Sequence, residues 1–97
     1  MRILVVDDEK SIRITLKEIL EFEGHEITVA SDGVEGLDKV KGGQFDAIFC
    51  DIKMPNMDGK EVLEKLVAQE CEATIIMMSG HGDIETAVDC IKKGAYD

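Results

Sequence analysis

Apolar positions along the chain alternate between two kinds of stretch. Ile3-Leu4-Val5-Val6, Phe45-Asp46-Ala47-Ile48-Phe49-Cys50 and Ile75-Ile76-Met77-Met78 are short, dense runs. A short continuous apolar run rich in β-branched residues reads as a strand covered on both faces. Between the runs the spacing changes. Ile12, Leu16, Ile19 and Leu20 fall at i, i+4, i+7 and i+8, which predicts a helix from about Ser11 to Glu23 that Gly24 ends. Glu26 to Ala30 is a weaker, more polar strand suited to a sheet edge. Asp32 and Glu35 have the spacing of a capping box and open a short helix, with Val34 and Leu37 as its apolar residues and Gly42-Gly43 as its stop. Asp58 and Glu61 repeat that spacing before a helix carrying Val62, Leu63, Leu66 and Val67 on one face. Ala73 to Met78 is a fourth strand. Asp83 caps a fourth helix, with Ile84, Ala87, Val88 and Ile91 inward and Gly94 at its end.

The predicted order is βαβαβαβα. Such alternation with short connections implies an α/β fold, a doubly wound parallel sheet with helices on both faces. In these folds ligands lie beyond the carboxyl ends of the strands, where the strand order reverses. Three predicted strands end there on oxygen chemistry: Asp7-Asp8, Asp51 and Ser79.

Composition narrows the partners. The chain has 97 residues, enough for one domain, residues 1–97. With only three Phe and one Tyr, its core is aliphatic. The net charge of −10 argues against non-specific contact with nucleic acid or an anionic membrane, both of which need clustered Lys and Arg. The same charge is compatible with plain solubility and with acid gathered into a cation site. Cys50, Cys71 and Cys90 are odd in number and lack C-x-x-C spacing, so neither a disulfide framework nor a zinc site is expected. A reducing, cytoplasmic location fits them best. The longest unbroken apolar runs are four residues, far short of the ~18 that mark a membrane span.

If Asp7, Asp8 and Asp51 converge, their charges need an answer. Two carboxylates ~4 Å apart repel by about 4 kcal/mol at an effective dielectric of 20. Protonation of one, or a hard divalent cation among them, relieves this. Mg²⁺ accepts one or two carboxylates, retains waters and takes a phosphate oxygen. A carboxylate beside it is placed to attack a phosphoryl donor and form an acyl phosphate. Singly, each residue has a plainer reading: an Asp after a strand is usually a turn or cap residue, and a Ser there is unremarkable. The joint arrangement carries the chemistry.

These residues sit in segments that resemble a known family. Ile3-Leu4-Val5-Val6-Asp7-Asp8-Glu9 looks like the opening of the receiver domains of bacterial two-component response regulators. Asp51-Ile52-Lys53-Met54-Pro55-Asn56-Met57-Asp58-Gly59 resembles their phosphoacceptor loop, and Met78-Ser79-Gly80-His81-Gly82 their hydroxyl switch segment. Lys93-Gly94-Ala95-Tyr96-Asp97 is similar to the stretch before their last strand. The resemblance spans the whole chain. It implies a flavodoxin-like sheet of order 2-1-3-4(-5), with Asp51 phosphorylated by a sensor histidine kinase. It further implies Mg²⁺ held by Asp8 and Asp51, with Asp7 acting through water and the backbone carbonyl of Lys53 as another ligand. Ser79 would be the switch hydroxyl. His81 to Val88 is most similar to receivers of enhancer-binding transcription activators, whose output domains are not in this chain.

One departure bears on mechanism. The family's fifth strand, ending in Lys-Pro, and its fifth helix are expected to be absent or incomplete, because the sequence stops at Asp97. Tyr96 precedes the family's aromatic switch position, and Lys92 and Lys93 read as helix-end charges rather than substitutes for the missing lysine. On this reading Thr74 to Met78 becomes a sheet edge that invites pairing with a second chain, as a homodimer or domain swap. The competing functions are then a non-switching interaction domain dimerising through that strand, a flavin or nucleotide binder, and a haloacid-type phosphatase. The residues argue against the last two. The chain lacks a G-x-G-x-x-G cradle, and Asp51-Ile52-Lys53 lacks a second acid two residues on.

Overall fold

The computed structural model describes residues 1–52, 54 and 57–78. Their elements are β1 (Arg2–Val6), α1 (Lys10–Phe22), β2 (Glu26–Ala30), α2 (Gly33–Gly42), β3 (Ala47–Asp51), α3 (Gly59–Ala68) and β4 (Thr74–Met78). The four strands form one parallel sheet in the order β2-β1-β3-β4. This is the predicted α/β architecture. The helix expected from Asp83, and the expected stop before a fifth strand, lie outside the described residues, as do Lys53, Ser79, His81, Cys90, Lys92, Lys93 and Tyr96.

Alternation along the strands divides the core in two. Ile3, Val5, Ala47, Phe49 and Met78 pack with Ile12, Leu16 and Leu20 of α1 on one face of the sheet. Leu4, Val6, Ile48 and Cys50 pack with Leu37, Met54, Val62 and Leu66 on the other, against α2 and α3. Cys50 is therefore a small core hydrophobe, and burial pushes its thiol up to about 12, helped by the charges of Asp51 and Asp7. Met54 and Met78 are likewise buried core residues. The polar strand β2 is at the edge, as its composition suggested.

Local signals set most element ends. Glu23 closes α1; Gly24, with φ +94°, donates its N–H to Glu21 O (3.0 Å), and His25 N–H reaches Leu20 O (3.1 Å). This pair is a Schellman closure, and only glycine takes that φ at little cost. Glu35 N–H donates to Asp32 Oδ1 (2.8 Å), and Glu61 N–H to Asp58 Oδ1 (2.9 Å), so both predicted caps form. The return half of the first box is displaced by one residue: Glu35 Oε1 accepts from Ser31 N–H and Ser31 Oγ rather than from Asp32.

Four expectations need correction. β3 runs from Ala47 to Asp51, not Phe45 to Cys50, so Asp51 is its last ladder residue. Helix α1 begins and ends one residue earlier than expected. Strand β4 begins at Thr74, one residue later than expected, and Val67, expected on the inner face of α3, is exposed. A Cβ on Gly36 would approach Val6 Cγ2 to 2.8 Å, and one on Gly33 would approach Val62 Cγ2 to 2.7 Å. The two glycines thus seat α2 closely on β1 and α3, and Val34 of the same helix is 58% exposed. Val67 is 65% exposed. The buried stripe of α3 is Gly59, Val62 and Leu66, and Val67 lies about 100° around the helix from Leu66.

Candidate functional site

Asp7 and Asp51 share a topology-driven address. In the register Val6 lies opposite both Ala30 and Cys50, so the residues that follow emerge together at the carboxyl edge of the sheet. Asp7 follows β1 directly, and its N–H donates to Ala30 O (3.1 Å). Asp51 closes β3 opposite Met78, the residue before Ser79. Oxygens of Asp7, Asp8 and Asp51 all lie within 4.8 Å of one another. Asp7 and Asp51 are buried and Asp8 is exposed, so the cluster is floored by protein and open toward solvent at one side.

Burial of this acid has a cost that shows in its protonation. The carboxyl of Asp7 is pushed up to about 6, first by burial and then by the charges of Asp51, Asp8 and Glu9. The Glu9 N–H, donating to Asp7 Oδ1 at 2.8 Å, opposes the shift. A hydrogen bond to a carboxylate favours its charged form, but here desolvation outweighs it. The arrangement suits a hard cation. Every clustered donor is a carboxylate oxygen, two of the three are removed from water, and their mutual repulsion is what a divalent ion relieves.

The neighbourhood also contains two features the sequence did not announce. Arg13 Nη1 donates to the main-chain carbonyl of Asp7 at 2.7 Å, tying α1 to the acidic turn. Its place on a polar part of the α1 pattern was the only hint. Gly59 opens α3 directly behind Asp51. Its N–H donates to Ile52 O (2.8 Å), while Ile52 N–H donates to Met78 O (2.8 Å). A glycine directly after the capping Asp58, where a better helix former is usual, was the available signal.

Asp7, Asp8 and Asp51 are thus brought together as expected. Lys53 and Ser79, the other two expected site residues, lie outside the described residues. Among the described residues no helix is long and apolar enough to cross a membrane.

Comparison with known proteins agrees with this geometry. The profile of the response regulator receiver domain matches residues 3–97. The chain is 37% identical over 95 residues to the transcriptional regulatory protein FixJ of Bradyrhizobium diazoefficiens, covering 98% of this chain and 46% of FixJ. It is 36% identical over 97 residues to the response regulator MprA of Mycobacterium avium, covering 100% of this chain and 42% of MprA. It therefore spans less than half the length of these relatives. Among solved structures, the response regulator TrrA of Thermotoga maritima, in complex with Mg²⁺-BeF, superposes with a TM-score of 0.83 at 32% identity, covering 95% of this chain and 96% of TrrA. The flavodoxin-like sheet order, the acidic cluster at its carboxyl edge and these matches lead to one conclusion: the chain belongs to the response regulator receiver domains of two-component systems.

Proposed function

We propose that residues 1–97 form a single phosphoacceptor module in which Asp51 receives a phosphoryl group from a sensor histidine kinase. The observation that supports this most is the convergence of Asp7, Asp8 and Asp51 at the carboxyl edge of the sheet. In the step, an Asp51 carboxylate oxygen attacks the donor phosphorus. An O–P bond forms as the donor's bond to phosphorus breaks, and the donor leaves with that electron pair. Asp8 and Asp51 would hold Mg²⁺, with Asp7 contributing through water and Lys53 through its backbone carbonyl. When bound, Mg²⁺ offsets the negative charge on the transferring group. Ser79 is the proposed switch hydroxyl that turns toward the phosphorylated Asp51.

The domain is a signalling module rather than an enzyme acting on a separate substrate. It works in the cytoplasm, without nucleic acid or membrane contacts of its own, and passes its state to an output domain of the transcription-regulating kind. The name of FixJ and the resemblance of His81 to Val88 support that class of output.

The test is acetyl phosphate with MgCl₂ followed by intact mass. Wild type is expected to gain one phosphoryl mass and Asp51→Asn none. A wild-type protein that gains nothing sinks the proposal, and a gain retained in Asp51→Asn moves the acceptor elsewhere.

A second reading, a non-switching interaction module, draws on β4. It is the last strand of the sheet formed by the described residues, and Ile75, Ile76 and Met77 are only half-buried. On this reading the strand pairs with a second copy, as a homodimer or by exchange of elements. Sedimentation is then expected to give a dimer at micromolar concentration; a monomer throughout that range dismisses it.

A further inference from the structure

Three like charges held within a few ångströms push the turn that carries two of them apart. What resists is visible in the bonds around Asp7. Its N–H is fixed to Ala30 O (3.1 Å) at the end of β2. Its Oδ1 accepts the Glu9 N–H (2.8 Å) within its own turn. Its carbonyl oxygen lies beyond the β1 ladder, which ends at Val6, and accepts from Arg13 Nη1 at 2.7 Å. Each anchor belongs to a different part of the fold, and the third is a side chain from the first turns of α1.

The guanidinium is well suited to this task. Arg13 is half-buried, and its planar fork presents five donors in fixed geometry, so little freedom is lost per bond formed. Its charge also reaches Glu35 in the first turn of α2. The carboxyl of Glu35 is held below its usual range by the Ser31 N–H and hydroxyl first, and then by the charges of Lys39 and Arg13. The guanidinium is thus bonded to the acidic turn after β1, and its charge is felt at Glu35 near the start of α2.

We infer that Arg13 is a positioning residue for the cation pocket: by fastening the Asp7 main chain to α1, it keeps the Asp7 and Asp8 carboxylates convergent with Asp51. The inference rests on the reading of the pocket as a Mg²⁺ site. Two effects of removing Arg13 oppose each other. A cation beside the pocket repels an arriving cation, so loss of its charge alone tightens Mg²⁺ binding. Loss of the tether lets the carboxylates separate and weakens binding. The second effect wins here because Arg13 bonds directly to the turn bearing two of the three clustered carboxylates. Groups that orient metal ligands typically carry about 10–100-fold in affinity.

The experiment is calorimetric titration of the full chain with MgCl₂, using wild type, Arg13→Gln and Arg13→Lys. Glutamine is as good a helix former as arginine, and far-ultraviolet circular dichroism confirms that α1 persists. Arg13→Gln is expected to bind Mg²⁺ about 10-fold more weakly. Arg13→Lys, which keeps the charge and a donor, is expected to recover most of that loss. Unchanged or tighter binding by Arg13→Gln overturns the inference, as does an absence of recovery in Arg13→Lys. A fall in urea midpoint without a change in Mg²⁺ affinity overturns it too, assigning Arg13 to general stability. Failure of the wild type itself to bind Mg²⁺ overturns the Mg²⁺ reading of the pocket and the inference with it.

Discussion

Gly59→Ala is expected to destabilise the domain by about 3 kcal/mol, the upper part of the usual range for overpacking. A Cβ at residue 59 would sit against the Asp51 carbonyl oxygen and 2.8 Å from both Asp51 C and Ile52 Cα. These are main-chain atoms of the strand end, so no rotamer change makes room. Either α3 moves away from β3, or the end of β3 moves. The first breaks the bond from Gly59 N–H to Ile52 O and strips the cover from Val62 and Leu66, both 1% exposed. The second displaces Asp51 from Asp7 and Asp8. The second route reaches the acidic cluster, so wherever β3 yields, phosphate acceptance from acetyl phosphate should fall together with stability. With a urea m-value of roughly 1–3 kcal/mol/M, the unfolding midpoint should drop by roughly 1–3 M. A midpoint within a few tenths of a molar of wild type would show that α3 has slack at its first residue, contrary to the packing seen here.

How much of this was legible in the chain depends on the range of each interaction. The caps at Asp32 and Asp58 were readable because donor and acceptor are three residues apart. The meeting of Asp7, Asp8 and Asp51 was readable for a different reason. Parallel strands joined by right-handed crossovers bring their carboxyl ends to one edge, so acids that end strands arrive together without any knowledge of contacts. Val67 was misread because an apolar residue at the border of a stripe carries no sign of which way the helix turns. The close seating of α2 was hidden for another reason: it depends on side chains that Gly33 and Gly36 lack, in places where Val62 and Val6 leave no room for a Cβ. Arg13 could not have been found from its spacing. Its bond is to a main-chain carbonyl, and every residue offers one.

Asp7→Asn is expected to make the Mg²⁺-free protein more stable at pH 7, although it removes a proposed site residue. The folded carboxyl titrates at about 6, against 3.8 for the unperturbed group. Between those values the folded chain holds a proton that the unfolded chain has released. Stability from this group is therefore highest below about pH 4, declines as pH rises through the window to about 6, and stays at its low level above it. The two-unit displacement corresponds to at most roughly 3 kcal/mol. Asparagine cannot match a carboxylate as acceptor for the Glu9 N–H, which returns part of the gain. A net stabilisation of about 1–2 kcal/mol follows, measurable by urea unfolding in EDTA at pH 7, and it should shrink toward zero by about pH 4. Saturating Mg²⁺ should reverse the order. Wild type gains RT ln(1 + [Mg²⁺]/Kd), whereas the variant, lacking one of three carboxylates, gains less. The acid that costs the empty fold most is then the one whose cost the cation removes. Asp7→Asn proving less stable than wild type in EDTA at pH 7 would mean that its hydrogen bond outweighs its burial, and that the pocket is not held under electrostatic strain.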